Sequence, residues 1–173
     1  GMCQFACILT TLKDKYFYIC VDLPEMIPLG YKNLLENVRE CDVFLPNEIE
    51  ECMSSNSSKK VLFITPDLLN NIEFNPDLFI NIESFGEMPQ KVANNYLEIV
   101  SEKMSEDGVI LLINRISRLV ESSNENDLKS WFFFSDLPLS GFKYITKKID
   151  GFKNLKSFEK ERANIFYLKK KFN

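Results

Sequence analysis

The chain contains no histidine. That removes a His general base, a Ser–His or Cys–His dyad and any His-ligated metal. Proton transfer would fall to carboxylates, and the densest group of candidates lies in Asn81-Ile82-Glu83-Ser84-Phe85-Gly86-Glu87-Met88. An amide, a hydroxyl and two carboxylates follow an apolar run there. Acids favour helix N-termini, which accounts for Glu87 ahead of a helix. It accounts less readily for Asn81 and Glu83 at a strand tip. Asp22 follows Tyr16–Val21, Thr65-Pro66-Asp67 follows Val61–Ile64, and Asn114-Arg115 follows Val109–Ile113. A carboxylate placed like Asp22 can accept hydrogen bonds from both hydroxyls of a ribose. Capping the next turn is its simpler use. Five cysteines, at positions 3, 7, 20, 41 and 52, include no Cys-x-x-Cys. They read as reduced, mostly buried thiols of a cytoplasmic protein, not as a metal or disulfide framework.

Ligands of open parallel sheets bind beyond the carboxyl ends of the strands, so the elements decide whether these residues matter. Tyr16–Val21 is aromatic and β-branched and ends at Asp22-Leu23-Pro24-Glu25, as a buried strand would. Asp42–Leu45, Val61–Ile64, Leu78–Asn81 and Val109–Ile113 are further strands. Cys3–Leu12 is open to helix or strand, though Leu12-Lys13-Asp14-Lys15 resembles a helix end. Helical spacing follows Pro28, and Asn47–Met53 allows one or two turns. Pro89–Met104 is the clearest helix, with Val92, Tyr96, Val100 and Met104 as its apolar face and Gly108 beyond its end. Strands apolar throughout and alternating with helices predict an α/β fold with a parallel sheet covered on both faces. The segments 16–21, 61–64, 78–81 and 109–113 are expected in that one sheet. Segments 144–149 and 164–169 are expected as an antiparallel hairpin at its edge, within a single domain spanning 1–173.

At 173 residues, 45% apolar and 27% charged, the chain can bury one sizeable core. No apolar run reaches a bilayer span, and no leader pattern opens the chain. The net charge of −4 hides an asymmetry: residues 143–173 carry ten cations against three acids, leaving −11 on the first 142 residues. A lysine-rich edge strand explains this more simply than an anionic partner, since charge discourages sheet-edge association. No nucleic acid and no membrane is expected as partner.

Val21-Asp22-Leu23-Pro24-Glu25, then Asp77-Leu78-Phe79-Ile80-Asn81-x2-Ser84-Phe85-Gly86-Glu87-Met88, then Gly108-Val109-Ile110 through Asn114-Arg115, resemble the later part of class I S-adenosylmethionine-dependent methyltransferases. The likeness is nearest to the sugar O-methyltransferases and covers roughly residues 5–170. It implies a Rossmann-like, mostly parallel sheet and S-adenosyl-L-methionine as cofactor. The cofactor contacts it implies are Asp22, Leu23, Thr65, Asp67 and Asn81. Glu83 or Glu87 would accept the proton of a hydroxyl on a small acceptor such as a sugar. Ser84, Asn114 and Arg115, with Asn81 beside them, would orient that acceptor. No metal is implied.

The chain departs from the family at one place. Its six glycines, at 1, 30, 86, 108, 141 and 151, form no Gly-x-Gly, and only about one helix precedes the Asp22 strand. The first central strand and its glycine loop are therefore expected to be missing, with weak cofactor binding as the result. Two readings stay open: an O-methyltransferase, or a non-catalytic, methyltransferase-like remnant. Exposed sheet edges would favour a homodimer in either case.

Overall fold

The computed structural model describes residues 3–115, 117–120, 130–133, 136–139, 142–145 and 163–170. The chain divides into two compact units, Gly1–Ile72 and Glu73–Asn173. Both are α/β in character.

In the first unit, α1 (Gln4–Leu12), β1 (Tyr16–Val21), α2 (Ile27–Asn37), β2 (Asp42–Phe44), α3 (Ile49–Ser54) and β3 (Lys59–Ile64) follow one another. β3 lies between β1 and β2 and is parallel to both. Its central place explains its composition: Val61, Leu62, Phe63 and Ile64 are all buried, so both faces must be apolar. Val61 and Phe63 join Cys20 of β1 and Ala6, Ile27 and Leu34 of the helices in one core cluster. Gly30 permits α2 to come this close, since a Cβ there would stand 2.9 Å from the Phe63 ring. Lys59 and Lys60 open β3 and, as strand neighbours, point to opposite faces. Lys59 Nζ donates to the Thr10 carbonyl of α1 at 3.3 Å. Lys60 Nζ donates to the carbonyls of Cys52 and Ser55 at the end of α3, at 2.8 and 3.1 Å. Each cation meets the negative end of a helix that has no basic residue in its own last turn.

The second unit begins with β4 (Leu78–Ile82), a 3-10 turn (Phe85–Glu87), α4 (Gln90–Lys103) and β5 (Val109–Arg115). β4 and β5 are parallel. β9 (Ala163–Lys170) runs antiparallel to β5 and to β8 (Phe142–Ile145), giving the sheet order β4-β5-β9-β8. β6 (Ser117–Val120) and β7 (Ser130–Phe133) form a separate antiparallel pair. α4 lays Ala93, Leu97, Val100 and Met104 against Ile110 and Leu112 of β5, with Phe85, Leu137 and Phe142 completing the cluster.

Several expectations change here. Segments 16–21 and 109–113 belong to different sheets, so the single continuous sheet is not what forms. Apolar composition marks a strand but does not choose its neighbour; β1 takes β3 on one side, and among the described residues nothing pairs with its other side. Nor is every apolar strand covered on both faces, because Leu78 and Ile82 of β4 are about half exposed, at 48% and 51%. Of the expected α4 face, Val100 and Met104 are buried and Tyr96 packs against the core, while Val92 is exposed and Ala93 and Leu97 are buried beside it. A strict four-residue row drifts about 40° around the helix per step, so Val92 and Met104 cannot share one face. α2 starts at Ile27 and takes Pro28 into its first turn. Cys3–Leu12 resolves to helix. Residues 146–149 of the expected hairpin lie outside the described residues.

Candidate functional site

Each unit places polar residues just beyond the carboxyl ends of its parallel strands.

In the first unit, the Asp22 N–H donates to the Ile64 carbonyl at 3.1 Å, carrying the β1–β3 ladder one residue past the strand. Its carboxylate Oδ1 accepts the Leu23 N–H at 2.9 Å. The turn-capping use of Asp22 is therefore realised, and one of its two oxygens makes that bond. A carboxylate offers about four lone-pair sites, so capping does not exhaust it. Leu23 is about half exposed beside it. Thr65 and Asp67 lie beyond β3, where the Thr65 carbonyl accepts from Leu68 and Asp67 sits exposed in the 3-10 turn Pro66–Leu68. Burial pushes the Cys7, Cys41 and Cys52 thiols upward. Cys3 is raised by a hydrogen bond with Cys20 and by burial. Tyr16, which shares a 2.6 Å hydrogen bond with Thr10, is pushed up to about 12, chiefly by burial.

In the second unit the tips of β4 and β5 are tied by two buried amides. Asn114 is fully buried and Asn81 nearly so. Asn114 Nδ2 donates to Asn81 Oδ1 at 3.0 Å, and Asn114 Oδ1 accepts the Gly86 N–H at 3.3 Å. Asn81 Oδ1 also accepts the Phe85 N–H at 3.1 Å, and its Nδ2 donates to Ser84 Oγ at 2.6 Å. Among the described residues no buried side-chain nitrogen or oxygen lacks a partner. The ladder continues past β4 where the Glu83 N–H donates to the Ile113 carbonyl at 2.6 Å. Glu83 itself has φ 65°, in the left-handed region that glutamate seldom adopts. Glu87 closes the 3-10 turn, where its N–H donates to the Ser84 carbonyl, and its side chain is exposed.

The structure thus brings Asn81, Ser84 and Asn114 into one hydrogen-bonded group, with Glu83 and Glu87 on the segment it holds. The two amides, expected to face cofactor and acceptor, are turned inward and hold backbone. Arg115 ends β5 opposite Ala163 of β9. Sequence reasoning missed the Asn81–Asn114 interlock. The interlock depends on strand pairing, which the sequence does not state: Asn81 stands opposite Leu112, and Asn114 lies two residues on, so both amides point to the α4 side of adjacent strands. No sequence signal announced the left-handed Glu83. Among the described residues, no group of three or more His, Cys, Asp or Glu side chains could hold a metal ion. No helix among them is long and apolar enough to cross a membrane.

No family model matches the chain, and no curated protein matches it. Two solved structures align with 98% of it. One is the pyocyanin biosynthetic protein PhzM, at 13% identity and a TM-score of 0.46. The other is an O-methyltransferase candidate from Nostoc punctiforme PCC 73102, at 9% identity and a TM-score of 0.41. The chain spans 55% and 57% of those two chains, about half the length of each.

Proposed function

We propose that the chain serves as an S-adenosylmethionine-dependent O-methyltransferase whose acceptor is a hydroxyl of a small molecule, a sugar being the acceptor that the family likeness implies. The observation that carries this is the β4 tip. The segment 77–88, which bears the strongest likeness to that family, is built as a strand-terminal turn carrying two carboxylates. The donor chemistry at Asp22 fits the other requirement in part, since a carboxylate at a strand end suits two ribose hydroxyls. The methionine end of the cofactor has no Gly-x-Gly in this chain to receive it.

S-adenosylmethionine supplies an electrophilic methyl group when bound. Asp22 would hold its ribose, with Leu23, Thr65 and Asp67 as the neighbouring contacts. Glu83 or Glu87 would take the proton that the acceptor hydroxyl releases, subject to hydrogen-bond reach. Ser84 and Arg115 would orient the acceptor, and rate would come largely from that positioning.

Calorimetric titration of the chain with S-adenosylhomocysteine tests the reading. Charge-assisted hydrogen bonds contribute roughly 1.5–3 kcal/mol each, whereas immobilising a ligand costs about 4 kcal/mol or more. Binding weaker than about 100 µM is therefore expected, and it should be lost in Asp22→Ala. Micromolar binding untouched by Asp22→Ala defeats the ribose assignment. No binding at millimolar ligand favours the non-catalytic reading, for which self-association in sedimentation is the expected companion.

A further inference from the structure

We infer that Asn81 and Asn114 are positioning residues: together they hold the backbone of Glu83 in its left-handed conformation, and Glu83 rather than Glu87 is the proton-accepting carboxylate of the tip. The use of the carboxylate rests on the transferase reading above; the clamp does not.

The N–H of Glu83 is fixed by the Ile113 carbonyl, in continuation of the β4–β5 ladder. The N–H groups of Phe85 and Gly86 are fixed by Asn81 Oδ1 and Asn114 Oδ1. These two oxygens belong to side chains buried between strand tips, and Asn114 Nδ2 holds Asn81 in place. The chain must therefore leave the strand and enter the 3-10 turn within Glu83 and Ser84 alone. Glu83 absorbs the change with φ 65°. Glycine or asparagine would adopt that conformation with less strain, yet the position carries a glutamate. Strain held in place by a fully satisfied buried network is a feature of residues whose side chain must point one way. Glu87, by contrast, lies exposed on a single 3-10 turn with ordinary backbone. A general base gains from a fixed origin, because small misplacements at the reacting atoms cost rate.

The test uses the full chain. In solution, the wild-type Glu83 HN–Hα coupling and Cα shift should report positive φ. In Asn114→Ala that signature should disappear, and amide exchange at Phe85 and Gly86 should rise about tenfold or more relative to Ile110 and Leu112. A role in bulk stability alone would raise exchange at all four amides together and leave the Glu83 signature in place, which overturns the clamp. Should Asn114→Ala not fold, a second comparison decides. Glu83→Gly and Glu83→Ala both lose the carboxylate, but only glycine relieves the backbone, so its unfolding midpoint should lie roughly 3 °C or more above that of Glu83→Ala. Equal midpoints overturn the strain. For the carboxylate, labelled methyl transfer from S-adenosylmethionine to a pool of methyl glycosides should be abolished by Glu83→Gln and retained by Glu87→Gln. The reverse overturns the choice of Glu83. No transfer by the wild-type chain defeats the transferase reading and the use assigned to Glu83, while coupling and exchange still decide the clamp.

Discussion

Asn114 ties the β4–β5 tip through both ends of its amide, and removing it has a calculable cost. Asn114→Ala leaves the buried Gly86 N–H without its acceptor and removes one of the two donors to Asn81 Oδ1, which keeps the Phe85 N–H. An unpaired buried donor costs about 1–3 kcal/mol and a lost hydrogen bond about 1 kcal/mol, so the second unit should lose roughly 2–4 kcal/mol in urea unfolding followed by tyrosine or tryptophan emission. A loss under 0.5 kcal/mol would mean that water replaces both bonds. The residue types at this tip were legible in the sequence, and so was their place after an apolar strand. Their use was not. An asparagine at a strand end reads the same whether its amide faces a ligand or a neighbouring strand. Only the pairing of Asn81 with Leu112 decides which, and pairing is a tertiary fact.

Helix α4 shows the same limit one level up. Its existence, its start after Pro89 and its end before Gly108 follow from local chemistry and hold in the structure. Gly108 is also confined by space, since a Cβ there would stand 2.9 Å from the Ser105 carbonyl oxygen and closer still to Met104. The face that is buried depends on where the sheet lies, and Leu97, not Val92, meets it. Leu97→Ala should therefore cost about 2–5 kcal/mol, while Val92→Ala should stay within about 0.5 kcal/mol. Paired thermal melts of the two variants check this directly, and equal losses would return the stripe to its sequence-based position.

Across the whole molecule, strand character was readable almost everywhere and sheet membership was not. Among the described residues, the strands expected in one sheet fall in two, because a run such as YFYICV states that it will be a strand and leaves its neighbours unstated; nor is it buried throughout, since Phe17 is exposed. The basic segment that shifts the charge balance falls largely outside the described residues. Alkaline pH acts on the first unit as a whole. The thiols of Cys3, Cys7, Cys41 and Cys52 and the Tyr16 hydroxyl have their proton loss pushed upward in the folded chain. The unfolded chain gives up these protons first, so the stabilisation is complete below the unfolded values and disappears as pH rises through the folded ones. For Tyr16 that window runs from 10.0 to about 12. The urea midpoint of the first unit should fall steadily above pH 9, and a midpoint flat to pH 11 would mean that these groups reach solvent in the folded state.

The lysine pair that opens β3 has a further consequence, for proteolysis. Trypsin cuts after lysine but needs several residues of extended, detached backbone. Lys59 and Lys60 lie in the central strand, and their ammonium groups are each occupied at the end of a helix on opposite faces. A protease can reach this dipeptide only after both helices have let go. Cleavage there should consequently lag behind cleavage at the exposed Lys13 and Lys15. Loosening either layer, by Thr10→Pro in α1 or Cys52→Pro in α3, should hasten the same cut by removing one of its two barriers, so one peptide bond would serve as a clock for both sides of the first sheet.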